Sequence, residues 1–205
     1  MSAVVHIVDD DPGVLTALGR CLKAEGLEVT LSGSPHEFLS HFDPALEGCV
    51  VLDLNMPGMD GLALQRLLCE AGQAPPLIFV SATADVPSCA TAMRAGALDF
   101  LTKPVDVEVL LAAVRRGIDV DADLRLRRSG EAFAEQCYGA LTPRERQVLP
   151  YIIAGRLNKQ TAAELGISLK TTKVHRGRIM QKFGVRSVAA LVRLAERAHI
   201  LANTA

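Results

Sequence analysis

Five polar side chains in the first half of this chain stand where short apolar runs end. Asp9 and Asp10 follow Val4-Val5-His6-Ile7-Val8, Asp53 lies within Cys49–Leu54, Ser81 closes Pro76–Ser81, and Lys103 follows Ala97–Thr102 directly before Pro104. If these runs are parallel strands, their carboxyl ends share one edge, which is where open α/β sheets bind ligands. Three carboxylates gathered there repel one another unless a hard divalent cation sits among them, and Mg²⁺ accepts a few carboxylates while keeping several waters. Lys103 adds a counter-charge. A carboxylate beside Mg²⁺ and an ammonium is equipped for phosphoryl transfer, which needs charge neutralisation and in-line positioning more than covalent help.

A second constellation lies near the other end. Lys170, Lys173, His175, Arg176, Arg178 and Lys182 fall on one helical stretch, preceded by Lys159–Leu165, a tight turn at Gly166 and a capping Ser168. This is the pattern of a helix-turn-helix, with Ala162, Leu165, Ile167 and Val174 at core spacings and more cations than one ordinary helix carries. The charge follows the same division. The formal net charge of the 205 residues is −1, yet residues 1–140 hold 10 basic against 20 acidic residues, and residues 141–205 hold 12 basic against 3 acidic. An acidic part joined to a basic part implies two domains with different partners, the basic one facing a polyanion.

The elements that must position these groups are legible as alternation. In the first half, β-branched apolar runs alternate with amphipathic stretches, the pattern of a parallel sheet covered by helices on both faces. Strands are expected at 4–8, 27–31, 49–54, 76–81 and 97–102. Helices are expected at 12–24, 34–41, 61–71, 87–95 and from about 106 past 116. Ser34, Pro35 and Glu37 read as N-cap, N1 and N3, and Asp11 before Pro12 as a turn or cap. Residues 118–140 are polar and read as a linker, helical at first. Beyond it no strand pattern survives: Thr142-Pro143-Arg144-Glu145 is a capping box, and three further helical stretches follow. The fold class is α/β, a doubly wound five-stranded parallel sheet at 1–117, followed by a small all-α domain at 141–205.

The first constellation resembles the receiver domain of two-component response regulators, over residues 4 to about 117. The resemblance implies a flavodoxin-like fold, with Asp53 as the phosphorylated aspartate and Asp9, Asp10, Asp53 and the backbone carbonyl of Asn55 as the site of Mg²⁺ or Mn²⁺. Ser81 and Lys103 then hold the phosphoryl oxygens, Phe100 is the switch aromatic, and Thr83 influences the lifetime of the phosphoryl group. The Lys103-Pro104 bond is expected to be cis. The donor implied is phosphohistidine on a sensor histidine kinase.

The second domain resembles the C-terminal domain of NarL/FixJ (LuxR-type) regulators, in the segments Leu-Thr-Pro-Arg-Glu-Arg, Gly-Arg-Leu-Asn-Lys-Gln-Thr-Ala-Ala-Glu-Leu-Gly-Ile-Ser and Lys-Thr-Thr-Lys-Val-His-Arg. There Lys173 is implied to reach base edges, with Lys159, Thr171, His175 and Arg178 along the DNA backbone or groove wall. Gly177 departs from the basic or polar side chain of some relatives, so base reading there is expected to be lost or passed to Arg176 or Arg178. Pro150 inside the first helix is expected to kink or break it. The implied partners are promoter DNA, a second copy when phosphorylated, and RNA polymerase.

Composition sets the frame. Hydrophobic residues at 49% and charged residues at 22% describe an ordinary globular chain. No stretch approaches the ~20 apolar residues of a membrane span, and Asp9, Asp10 and Asp11 interrupt the first apolar run, so a cytoplasmic protein is expected. Cys21, Cys49, Cys69, Cys89 and Cys137 form no C-x-x-C pair and are expected to be reduced packing residues. His6, His36 and His41 lack ligand spacing. Two other functions compete with a regulator that is not an enzyme. An aspartate-nucleophile phosphatase needs a second carboxylate two residues after Asp53, where Asn55 stands. A small-molecule-sensing LuxR-type regulator needs an aromatic-lined pocket, from a chain with no Trp, 2 Tyr and 6 Phe.

Overall fold

The apolar runs pair as β1 (Val4–Val8), β2 (Glu28–Ser32), β3 (Gly48–Asp53), β4 (Leu77–Ser81) and β5 (Asp99–Thr102). They form one parallel sheet of order β2-β1-β3-β4-β5, so the strand order reverses beside β1 and β3. This computed structural model describes residues 3–45, 47–72, 74–82, 85–197 and 200. The chain divides into two units, residues 1–124 and 125–205.

In the first unit every residue of β3 and β4 is buried, because helices cover both faces. The period of two along each strand sorts side chains into two cores. Val5, Ile7, Val51, Ile78 and Val80 meet Leu22 of α1 (Pro12–Ala24) and Leu110 and Val114 of α5 (Val107–Gly139). Val8, Val50, Leu52, Leu77 and Phe79 meet Phe38 of α2 (Pro35–His41), Leu64 and Leu68 of α3 (Gly61–Glu70) and Ala92 of α4 (Val86–Arg94). Side-chain caps start the helices where the sequence places them. Asp11 accepts from the N–H groups of Gly13 and Val14, Ser34 from Glu37, Asp60 from Ala63 and Asp85 from Ser88.

The segment 118–140 is helical to Gly139, and both of its ends are packed rather than free. Ile118 joins the first core, and the buried Asp121 carboxylate accepts from the N–H of Gly48 at 2.9 Å, satisfying the start of β3. Ala134 and Cys137 are buried in the core of the second unit. The division therefore falls after Leu124, inside the stretch read as a linker. Burial and the charge of Asp121 push the Cys49 thiol up to about 12, leaving it an inert packing group.

The second unit is helical. With the end of α5 it contains α6 (Pro143–Ile153), α7 (Asn158–Leu165), α8 (Leu169–Lys182) and α9 (Val188–Arg197). Their core holds Val148, Leu149, Ile152, Ile179, Phe183, Leu191 and Ala195. Of the kink or break expected at Pro150, the break does not occur: α6 runs through it. Its missing N–H costs one bond near the helix end, while buried Val148, Leu149 and Ile152 hold the backbone from either side. Among the described residues no helix is long and apolar enough to cross a membrane.

Candidate functional site

The carboxyl ends of β1, β3 and β5 bring together three charged side chains. Lys103 Nζ donates to Asp9 Oδ2 at 2.6 Å and to Asp53 Oδ1 at 2.8 Å. Both carboxylates are nearly sealed from solvent, Asp9 at 2% and Asp53 at 4% exposure, and each is also held by backbone: Asp11 N–H donates to Asp9 Oδ1 at 2.9 Å, and Asn55 N–H to Asp53 Oδ2 at 2.6 Å. One ammonium thus faces two carboxylates. Burial, with the Asp9 charge added, raises the Asp53 carboxyl above its ordinary value despite the Lys103 and Asn55 hydrogen bonds. On Lys103 burial works against the charge, but its bonds to Asp53 and Asp9 prevail and raise the ammonium.

The neighbouring elements explain the placement. Asp9 N–H donates to Ser32 O at 3.1 Å, and Lys103 N–H to Ser81 O at 2.8 Å, so each loop continues a strand pairing before it turns away. Ser81 is fully buried at the end of β4, and the Lys103-Pro104 bond is cis, as expected. Phe100 on β5 is half-buried, its ring stacked on Phe79 with centroids 6.0 Å apart. Sequence reasoning missed one positioning residue, Gly61. A Cβ there would collide with the carbonyl of Asp53, and the bare backbone lets α3 start against the end of β3, with Gly61 N–H on Leu54 O at 2.9 Å. The glycine directly after the Asp60 cap was the available signal.

Asp10 and Asn55 are exposed beside this cluster. The expected convergence of three carboxylates is met by two, and among the described residues no group of three His, Cys, Asp or Glu side chains is gathered to hold a metal. Thr83 lies outside the described residues. Two hard oxygen donors close enough to share one ammonium nevertheless suit a divalent cation.

In the second unit, α7 and α8 are joined through Gly166, which takes the left-handed conformation at φ 63° that caps α7, and Ser168 Oγ accepts from Thr171 N–H to start α8. Lys170, Lys173, Val174, Gly177, Arg178 and Gln181 form the exposed face of α8, and Lys159 is exposed on α7. An exposed glycine inside a helix costs about 1 kcal/mol relative to alanine. Thr171 and His175 are half-buried at the border of that face; Thr171 Oγ1 lies 2.7 Å from Ser168 Oγ, and His175 Nδ1 is buried with no hydrogen-bond partner among the described residues.

Three expectations change here. Arg176 is half-buried and its guanidinium turns back to Asn158 Oδ1 at 3.4 Å, away from the exposed face to which base reading had been passed. Val174, placed in the core by spacing, is 42% exposed because it shares the side of α8 that carries Lys170 and Arg178. Lys182, counted with the groove cations, instead closes the fold. Its Nζ donates to Glu145 Oε2 at 2.6 Å and to Ala140 O at 2.8 Å. Glu145, 1% exposed, also accepts from Thr142 N–H at 2.9 Å. Burial opposes its charge, but these bonds outweigh it and hold the carboxyl down at about 2.

Comparison with known proteins agrees with both halves. The family described as "Response regulator receiver domain" matches residues 5–115, and "Bacterial regulatory proteins, luxR family" matches residues 139–195. The chain is 42% identical over 196 residues to the response regulator protein TodT of Pseudomonas putida, covering 96% of this chain and 86% of the relative. It is 38% identical over 194 residues to the transcriptional regulatory protein FixJ of Azorhizobium caulinodans, covering 95% and 92%. The solved structure of the response regulator StyR is similar at a TM-score of 0.85 and 43% identity, over 96% of this chain and all of that one. A receiver fold followed by a LuxR-type helix-turn-helix defines a two-component response regulator. Within that class the chain belongs to the NarL/FixJ family, whose members matched here are transcriptional regulators.

Proposed function

We infer that Asp53 accepts a phosphoryl group from the phosphohistidine of a sensor histidine kinase, and that this controls binding of α8 to promoter DNA. The observation that carries the reading is the sharing of one ammonium by two buried carboxylates at the switch point of the sheet. An Asp53 carboxylate oxygen attacks phosphorus, the new P–O bond forms as the P–N bond breaks, and the electron pair leaves with the imidazole. Lys103 neutralises charge gathering on the phosphoryl oxygens, and Ser81 stands at the adjacent strand end to meet one of them. Asp9, Asp10, Asp53 and the Asn55 carbonyl would hold Mg²⁺ or Mn²⁺, which when bound supplies the remaining charge neutralisation. Asp9 keeps Lys103 in place until then. Thr83 is assigned the lifetime of the product, and Phe100 the inward turn that follows phosphorylation and favours a homodimer.

On the output side, Lys173 reads base edges, while Lys159, Thr171, His175 and Arg178 lie along the groove wall and phosphates. A regulator of this kind works in the cytoplasm beside its promoter. The test is incubation with radiolabelled acetyl phosphate and Mg²⁺, followed by titration of promoter fragments. Stoichiometric labelling that tightens DNA binding is expected, and labelling that survives Asp53→Asn would overturn the assignment.

A further inference from the structure

Asp121 is a buried carboxylate that neither the phosphoryl site nor the DNA-binding face uses. It lies between the two stretches matched by known families, residues 5–115 and 139–195, yet it is only 2% exposed. Its Oδ2 accepts from the N–H of Gly48, 73 residues away, at 2.9 Å. Two further positions on the same face of α5 sit close to the same strand. Cys49 Sγ lies 3.8 Å from the carbonyl of Val114, and a Cβ on Gly117 would stand 3.0 Å from Cys49 Cβ. Val114, Gly117 and Asp121 thus lay α5 along the start of β3. The strand held there at Gly48 ends at Asp53, and the helix that holds it passes into the second unit after Leu124 and runs on to Gly139. A buried carboxylate is a costly way to fill space, and apolar packing alone would let the helix slide or turn. A hydrogen bond to one backbone N–H fixes both its height and its rotation.

We propose that Asp121 is a regulatory clamp: it binds the helix leading to the second unit to the strand that carries Asp53, so that phosphorylation reaches the DNA-binding unit through a fixed helix rather than a free tether. This rests on the reading of Asp53 as the phosphoryl acceptor. The two designs differ in what they ask of residues 118–124. A free tether only keeps one domain near the other, at an effective concentration set by its length, and is indifferent to how the chain leaves the receiver. A fixed helix passes on the state of the receiver only while its exit is held. Loss of the clamp therefore removes coupling between the sites and leaves the chemistry of each intact. Asp121 stands at the opposite end of β3 from Asp53, and α8 lies in the other unit, so its role is that of a positioning residue.

The experiment compares the full chain with Asp121→Ala, Asp121→Asn and a Gly-Ser-Gly-Ser insertion between Leu124 and Arg125, which keeps the clamp and frees the helix beyond it. The parent chain, incubated with acetyl phosphate and Mg²⁺, enriches a preferred site from randomised duplex DNA. Each protein is then labelled to measure phosphorylation, titrated on that site with and without acetyl phosphate at fixed salt, and melted. Asp121→Ala and the insertion should label as the parent does, but the factor by which phosphorylation tightens DNA binding should fall towards one, by about fivefold. Asp121→Asn retains an oxygen that accepts from Gly48 N–H and should keep the parental factor. A merely structural role predicts a lower Tm for Asp121→Ala with the parental factor, and that result overturns the proposal. So does a parental factor in the insertion variant, whether or not Asp121→Ala folds, or an Asp121→Asn chain as uncoupled as Asp121→Ala. The phosphorylation reading fails separately: a parent chain that takes up no label, or labels without tightening on DNA, refutes it and the clamp together. A parent that responds, beside variants that respond equally, refutes only the clamp.

Discussion

Each unit holds a lysine against buried carboxylate, and the two clusters are balanced differently. Lys182 meets one carboxylate, and every other bond there helps: the Ala140 carbonyl takes a second proton of the ammonium, and the Thr142 cap shares Glu145. The Glu145 carboxyl is accordingly held at about 2. Lys103 meets two carboxylates, and at Asp53 burial, with the Asp9 charge added, outweighs the shared ammonium, so that carboxyl is raised instead. A satisfied cluster stabilises a fold. An unbalanced one at a strand end is where perturbed ionisation marks a candidate functional site, in keeping with the function proposed above.

The comparison breaks most visibly at Asp53. Asp53→Asn should abolish labelling by acetyl phosphate, because an amide is a far poorer nucleophile, while thermal stability is kept or raised, because one of two carboxylates competing for Lys103 is gone. A large loss of stability would show that the cluster is balanced after all.

Glu145→Ala should do the opposite, destabilising the second unit by about 3 kcal/mol by removing the carboxylate that pairs with Lys182 and leaving it only the Ala140 carbonyl. Both tyrosines of the chain, Tyr138 and Tyr151, lie in that unit, so tyrosine fluorescence during urea unfolding reports on it selectively. Phosphorylation of Asp53 should persist in this variant.

Acid sharpens the same contrast. The Glu145 carboxyl is depressed from 4.5 to about 2 in the folded chain. Its contribution is therefore present above pH 4.5 and is lost as pH falls towards 2. With Lys182 partly open to solvent, the loss should be about 2 kcal/mol. Unfolding of the second unit measured across that range should show this slope, and Glu145→Ala should flatten it.

The smallest effects separate cations along α8. Lys173→Ala should cost about 1 to 3 kcal/mol on a preferred DNA site without altering Tm. Lys182→Ala should lower Tm first. Arg178→Ala should weaken preferred and scrambled DNA alike and reduce the salt slope by about one unit. Identical behaviour of Lys173→Ala and Arg178→Ala across sequences would erase the division between base and phosphate contacts.

What the sequence alone determined is what depends on near neighbours along the chain. Strand ends follow from apolar runs, helix starts from Asp11, Ser34 and Thr142, and the turn at Gly166 from a residue free to adopt positive φ. These placed Asp9, Asp53, Ser81 and Lys103 on one sheet edge, and the charge of residues 141–205 marked the basic unit. What only the tertiary structure decided is which distant group each charge meets. Lys182 and Arg178 are both cations on the same helix in the sequence, yet Lys182 finds Glu145 across 37 residues and Arg178 faces outward. Asp121, in a stretch that reads as polar linker, is buried against Gly48 across 73 residues. Val174 sits at a core spacing but on the open side of α8. Periodicity gives each side chain an angle on its own element, and the packing of elements against one another then selects which angles face the interior and which charge lies within reach of which partner.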